Sequence, residues 1–223
     1  MKKIAIIVIL IALIGIGVWV LLNVKKGVEV PPGEEAVTPE EELSLTEILG
    51  KAKGISSFKY DMVATAPGET AETIKMWRKG GKMRMEGAFE GKSMIYLVDA
   101  DEQLAYMYFP SENTAMKIGL SEAQETAGES PSEQSESVTK YNPVTLGTET
   151  LDGKSCLVIE YSTETEKVKM WVWTKYGLPI RTETTTEKGT SVVELKNIDF
   201  GSISDSMFEL PAGVQIMEVP FGL

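Results

Sequence analysis

The chain has 223 residues, a formal net charge of −11 and no histidine, with one cysteine, Cys156. That length suits one domain with a sizeable core. The acidic balance, with no basic stripe, argues against a nucleic-acid partner. The lack of histidine removes the commonest general base and metal ligand, and a lone cysteine rules out an intrachain disulfide.

The amino-terminal stretch Ile4 to Leu22 contains no charged side chain and is flanked by Lys2, Lys3, Lys25 and Lys26. At about 1.5 Å per residue it spans roughly 28 Å, the thickness of a bilayer core. Its exit, Val18-Trp19-Val20-Leu21-Leu22, is bulky and lacks a small-residue cleavage site. The reading is a retained transmembrane helix: residues 1–26 form a membrane anchor in a single-pass protein of the cell membrane. The carboxy-terminal domain is expected to be extracytoplasmic, because the chain begins like an export signal. Residues 27–38, rich in Pro, Gly and Glu, read as an extended acidic stalk.

A domain over 39–223 follows. Thr38, Pro39 and Glu41 resemble a capped helix start. Leu45, Ile48, Leu49 and Ala52 then recur at helical spacing up to Gly54. After Phe58 the period becomes two, punctuated by Pro67-Gly68, Gly80-Gly81, Asp101-Glu102, Asp152-Gly153, Tyr176-Gly177 and Lys188-Gly189. Short strands with turns between them predict an antiparallel β meander.

Treating Gly80-Gly81 as a two-residue turn sets Met76 opposite Met85 and Trp77 opposite Arg84. Ile74, Met76, Met83 and Met85 then share one face, expected to be buried. The same arithmetic at Asp152-Gly153 sets Val144 opposite Tyr161 and Leu146 opposite Ile159. Val168, Met170 and Val172 share a face, with Trp171 and Trp173 on the other. Cys156, within an apolar run, reads as a small buried hydrophobe. Residues 121–140, with five glutamates, five serines and no aromatic residue, read as a flexible polar insertion.

No catalytic set emerges, so the chain is not expected to be an enzyme, and no cofactor or metal is implied. Asp99-Ala100-Asp101-Glu102 lacks the spacing and glycine of a calcium loop and reads as an acidic turn. Methionine is conspicuous, with 11 in the chain. It fills irregular apolar space and adapts to ligands of variable shape.

Several short motifs then fall in a familiar order. They are Ile55-Ser56-Ser57-Phe58, Tyr96-Leu97-Val98-Asp99 with Tyr106 to Pro110, Trp173 to Arg181 around Gly177-Leu178-Pro179, and Phe208, Pro211 and Gly213-Val214. The chain resembles the LolA/LolB-like lipoprotein-carrier superfamily over roughly residues 43–219. The resemblance implies a mainly β (α+β) fold: a curved antiparallel sheet forming an open half-barrel, with the N-terminal helix packed on its concave face. It implies a cavity for acyl chains of lipids or lipoproteins, and no catalysis. The expected cavity face comprises Ile74, Met76, Met83, Met85, Met94, Tyr96, Val168, Met170 and Val172. The expected function is a membrane-anchored lipid- or lipoprotein-binding module, in sorting or carriage. The alternative is an envelope sensor or protein-interaction domain using the same sheet without a lipid.

Overall fold

The computed structural model describes residues 44–89, 91–119 and 130–218. The proposed membrane anchor and stalk lie outside them. Among the described residues no helix is long and apolar enough to cross a membrane.

Among the described residues two short α-helices accompany one sheet. Helix α1 is Leu45–Gly50 and helix α2 is Pro131–Ser137. The strands, in chain order, are β1 Ser57–Thr65, β2 Glu72–Lys79, β3 Lys82–Phe89, β4 Lys92–Asp99, β5 Leu104–Phe109 and β6 Thr114–Gly119. After α2 come β7 Val144–Leu151, β8 Lys154–Ser162, β9 Lys167–Trp173, β10 Leu178–Thr186, β11 Gly189–Asp199 and β12 Gln215–Glu218. All twelve form one open sheet in the order β12-β6-β5-β4-β3-β2-β1-β11-β10-β9-β8-β7. Two consecutive meanders are therefore stitched together where β1 pairs with β11.

The meander expectation holds, with one exception: β12 joins β6 in parallel. The chain reaches that edge by running from β11 across the face opposite Met83. There Arg84 donates to Met207 O at 2.9 Å, and Phe208 is buried.

The face expected to be buried does point at the helices. In β1 the alternation is strict, with Phe58, Tyr60, Met62 and Ala64 buried. The β2–β3 register matches the turn arithmetic, with Met76 opposite Met85 and Trp77 opposite Arg84. Extending the same row gives Tyr60, Met76, Met85, Tyr96, Met107 and Met116 on six neighbouring strands. The β7–β8 register differs from expectation. Val144 faces Glu160 and Thr145 faces Ile159, because a bulge at Leu146 absorbs one residue before Gly147, whose φ is +126°. The tryptophans do share the opposite face, but Trp171 is not exposed there. It is buried, with Lys169 Nζ at 4.5 Å and Arg181 Cζ at 5.2 Å from its ring and its indole N–H donating to Glu149 at 2.7 Å.

The two helices lie side by side on the inner face. The helix start differs from the expected one at Thr38. Ser44 is the cap, in an extended conformation, with a full capping box to Glu47, so the helix cannot run through from Thr38. Ile48 and Leu49 are buried in a cluster with Leu157, Ile159, Val168, Met170 and Val172. Each such side chain contributes about 1.5–3 kcal/mol.

The expectation of a flexible insertion over 121–140 needs correction from Ser130 onward. Ser130 and Glu133 form a second capping box, Pro131 occupies the first turn, and a helix follows. Its polar side chains dock it by other means than an apolar stripe. The Ser135 hydroxyl lies 2.6 Å from Gly177 O, and Val138, just past the helix, is buried in the α1 cluster. The β9–β10 turn is the shared seat. Gly177 has φ +69°, and a Cβ there would lie 2.2 Å from the Ile48 carbonyl oxygen. Only glycine lets α1 and the turn approach so closely.

Candidate functional site

Between α2 and the sheet lies a cavity of about 140 Å³. Its floor draws on seven neighbouring strands, β8-β9-β10-β11-β1-β2-β3, so the sheet must wrap around α2 to enclose it. The register explains which side chains meet there. Met62 opposes Leu195, Val193 opposes Thr182, and Thr182 opposes Met170, which aligns one side-chain face across the β1–β11 seam. The floor is apolar at both ends, with Met62, Met76 and Met83 on one side and Val168 and Met170 on the other. Thr182, Thr184 and Ser191 give it a mildly polar middle, and Gln134, Ser137 and Tyr141 form the roof.

Of the expected cavity residues, Met76, Met83, Val168 and Met170 line this space. Ile74, Met85, Met94 and Tyr96 are on the same face of β2, β3 and β4 but beyond the cavity wall. Val172 is fully buried beneath α1. The lining residues absent from the expectation include Tyr60, Arg78 and Glu166.

Arg78 stands at one end of the cavity. It follows Met76 by two residues in β2 and so points to the same face. Its Nη1 is 3.7 Å from Glu133 Oε2 on α2, and its Nη2 is 3.6 Å from Met83 Sδ. The same Glu133 oxygen accepts from Ser130 N at 2.6 Å, so the carboxylate belongs first to the helix cap. A second cavity of about 270 Å³ opens at the β2–β3 turn, and Arg78, Met83 and Ser130 line both spaces. Tyr60 is buried nearby. Burial pushes its hydroxyl up to about 12, against the lowering effect of the Arg78 charge.

Glu166 lies at the other end, in the loop before β9, and burial raises its carboxyl above the usual range. Cys156 takes no part. It is fully buried and burial raises its thiol, as expected of a packing residue. Among the described residues no cluster of acidic or cysteine side chains could hold a metal ion. What the arrangement offers is a narrow apolar slot with a cation at one end and a half-buried carboxyl at the other.

Residues 59–175, more than half of the chain, match the family described as a domain of unknown function, DUF4412. The chain belongs to that family. A relative in Methanocaldococcus jannaschii, the uncharacterized protein MJ0687, is 26% identical over 173 residues, covering 71% of this chain and 50% of the relative. The chain thus spans about half the length of the curated relative it matches.

Solved structures share the fold of this DUF4412 chain at low identity. An uncharacterized conserved protein from Thermus thermophilus has a TM-score of 0.55 at 11% identity, over 78% of this chain and 98% of its own. MucB of Pseudomonas aeruginosa, solved in complex with MucA, has 0.50 at 13%, over 78% and 64%. LprF from Mycobacterium bovis has 0.50 at 11%, over 76% and 97%. The open sheet with helices on its inner face is the architecture that the carrier-like resemblance implies.

Proposed function

We propose that this protein is a membrane-anchored, extracytoplasmic module without catalytic activity that binds an acyl chain of a lipid or lipoprotein between its sheet and α2. The observation that carries this reading is the cavity floored by Met62, Met76, Met83, Val168 and Met170 under a short, polar, hydrogen-bond-docked helix. Methionines adapt to a flexible chain without a fixed shape. The roof is seated by the Ser135–Gly177 hydrogen bond, buried Val138 and the Tyr141–Tyr161 ring stack, and its outward displacement would lengthen the slot. An engineered cavity near 150 Å³ takes a benzene molecule, about six carbons, so the closed slot suits one narrow chain. The apolar segment Ile4 to Leu22 supports the anchored location.

The experiment is native mass spectrometry of the full chain for a co-purified lipid, with displacement of a fluorescent acyl probe from delipidated protein. Thr182→Phe fills the slot from a strand position that tolerates an aromatic residue. It is expected to abolish probe binding while thermal stability is kept. Delipidated wild type that binds no probe saturably would refute the acyl reading.

A second reading is a protein-interaction domain. It is supported by exposed Val144 and Leu146 on the edge strand β7, and by the fold shared with MucB, which was solved bound to MucA. A partner captured from native membranes by wild type and equally by Thr182→Phe would favour it.

A further inference from the structure

Arg78 is held more loosely than a guanidinium with five donors ordinarily is. Its ion pair with Glu133 is long, at 3.7 Å, and that carboxylate is committed to Ser130 N at 2.6 Å. Its other contact is a thioether sulfur, a weak acceptor, on Met83. The side chain is only 22% exposed. A cation so placed favours a bidentate oxyanion that the present neighbours do not supply.

Its position is equally specific. Arg78 lines both the apolar slot under α2 and the wider cavity at the β2–β3 turn. The wider cavity is the polar one, with the Ser130 and Ser132 side chains and Lys82, itself paired with Asp99 at 3.2 Å, on its wall. Gly80 and Gly81 of the turn line it as well. A molecule with an apolar tail and a charged head would meet matching surroundings along its length.

Resting on the acyl reading of the slot, we propose that Arg78 is the headgroup site. It receives the anionic oxygen acid, carboxylate or phosphate, of a single-chain amphiphile whose chain occupies the methionine-lined slot. The anion takes the guanidinium face now turned to Glu133, which keeps its bond to the α2 cap. Arg78 thereby sets specificity for charged over neutral chains.

The test uses the full chain in zwitterionic-lipid nanodiscs and three probes of equal tail length: octanoate, octyl phosphate and 1-octanol. Calorimetric titration is expected to show one or both anions binding wild type at least about tenfold more tightly than the alcohol, the scale of one charge-assisted hydrogen bond. Arg78→Gln is expected to erase that preference, bringing both anions to the level of the alcohol. Glu133→Gln keeps the capping box, since glutamine serves at that position, and removes the competing charge. It is expected to raise the affinity of the preferred anion, giving a gain that misfolding would not produce. Octanoate ahead of octyl phosphate identifies a fatty-acid head, and the reverse order a phospholipid-type head. Octanol equal to both anions in wild type, or an anion preference that survives Arg78→Gln, overturns the headgroup assignment and leaves the acyl reading standing. So does a Glu133→Gln variant with no gain in anion affinity. Failure of all three probes to bind wild type sinks the acyl reading itself.

Discussion

Replacing Gly177 by alanine probes the seat on which both helices rest. Two costs follow from the geometry. At φ +69° an alanine pays about 1–2 kcal/mol for the left-handed backbone. Its Cβ would also sit 2.2 Å from Ile48 O and 3.1 Å from Ala52 N, so α1 must retreat by about 1 Å merely to clear the forbidden range below 3.0 Å. Buried Ile48 and Leu49 together hold about 3–6 kcal/mol of burial energy. A gap of that size forfeits about a quarter to a half of close contact, or roughly 1–3 kcal/mol. The expected loss for Gly177→Ala is therefore about 2–5 kcal/mol. Gly153 supplies the control, with φ +71° and open space where the Cβ would go. Gly153→Ala should cost only the backbone part, about 1–2 kcal/mol. Urea unfolding of both variants, followed by far-UV circular dichroism, measures the difference. Equal losses would show that α1 does not bear on the turn and that the helix pair is not tightly seated there.

Other outcomes follow from single groups. Ser135→Ala strips Gly177 O of its buried donor and should cost about 1–3 kcal/mol in the same unfolding assay; a change near zero would mean that α2 is not fixed by that bond. Asp152 is held below the ordinary range by its hydrogen bond to Lys196, and Asp199 by the Gly201 N–H and then Lys59. Their stabilisation is complete above about pH 4 and is lost as pH falls through their depressed folded values. Glu166 runs the opposite way. Burial raises it, so its favourable contribution exists at low pH and is lost as pH rises through the raised value. Glu166→Gln should therefore match wild type near pH 3 and exceed it at pH 7, and parallel urea midpoints across that range would contradict the assignment. Cys156 should resist a thiol reagent such as dithionitrobenzoate in native protein and react fully in urea; rapid native reaction would contradict its burial.

The legible parts of the fold were those with short, unambiguous punctuation. Gly80-Gly81 leaves room for no other register, and so Met76, Met85, Trp77 and Arg84 pair as the turn dictates. The β7 register was lost to a bulge at Leu146, which changes the count without changing composition. Hydrophobic periodicity is blind to helix α2, which a serine hydroxyl docks. Its signal was nevertheless present, since Ser130-Pro131-Ser132-Glu133 is a capping box with proline in the first turn. At the site, parity along β2 places Arg78 beside Met76. Its meaning came only from Glu133, 55 residues further on, which no local pattern connects to it. Ile74, Met85, Met94 and Tyr96 share the right face but lie too far along the sheet, because periodicity assigns a side and not a distance from the roof.

The seam between β1 and β11 has a consequence for how the molecule is made. Met62 and Leu195 face each other across it, so the sheet is completed only when the last long strand arrives. Until then β1 is a bare edge with Tyr60, Met62 and Ala64 ready to pair. Loop closure over such a separation is slow relative to the hairpins on either side. The amino-terminal meander should therefore assemble first and wait, exposed to mispairing with its own kind, for β11. Pulse-labelled hydrogen exchange during refolding would record this as early protection of the β3–β4 amides and late protection along β1 and β11. Assembly would be gated by the arrival of one strand, and a chaperone or neighbouring chain that shields β1 in the interval would raise the yield without touching the finished structure.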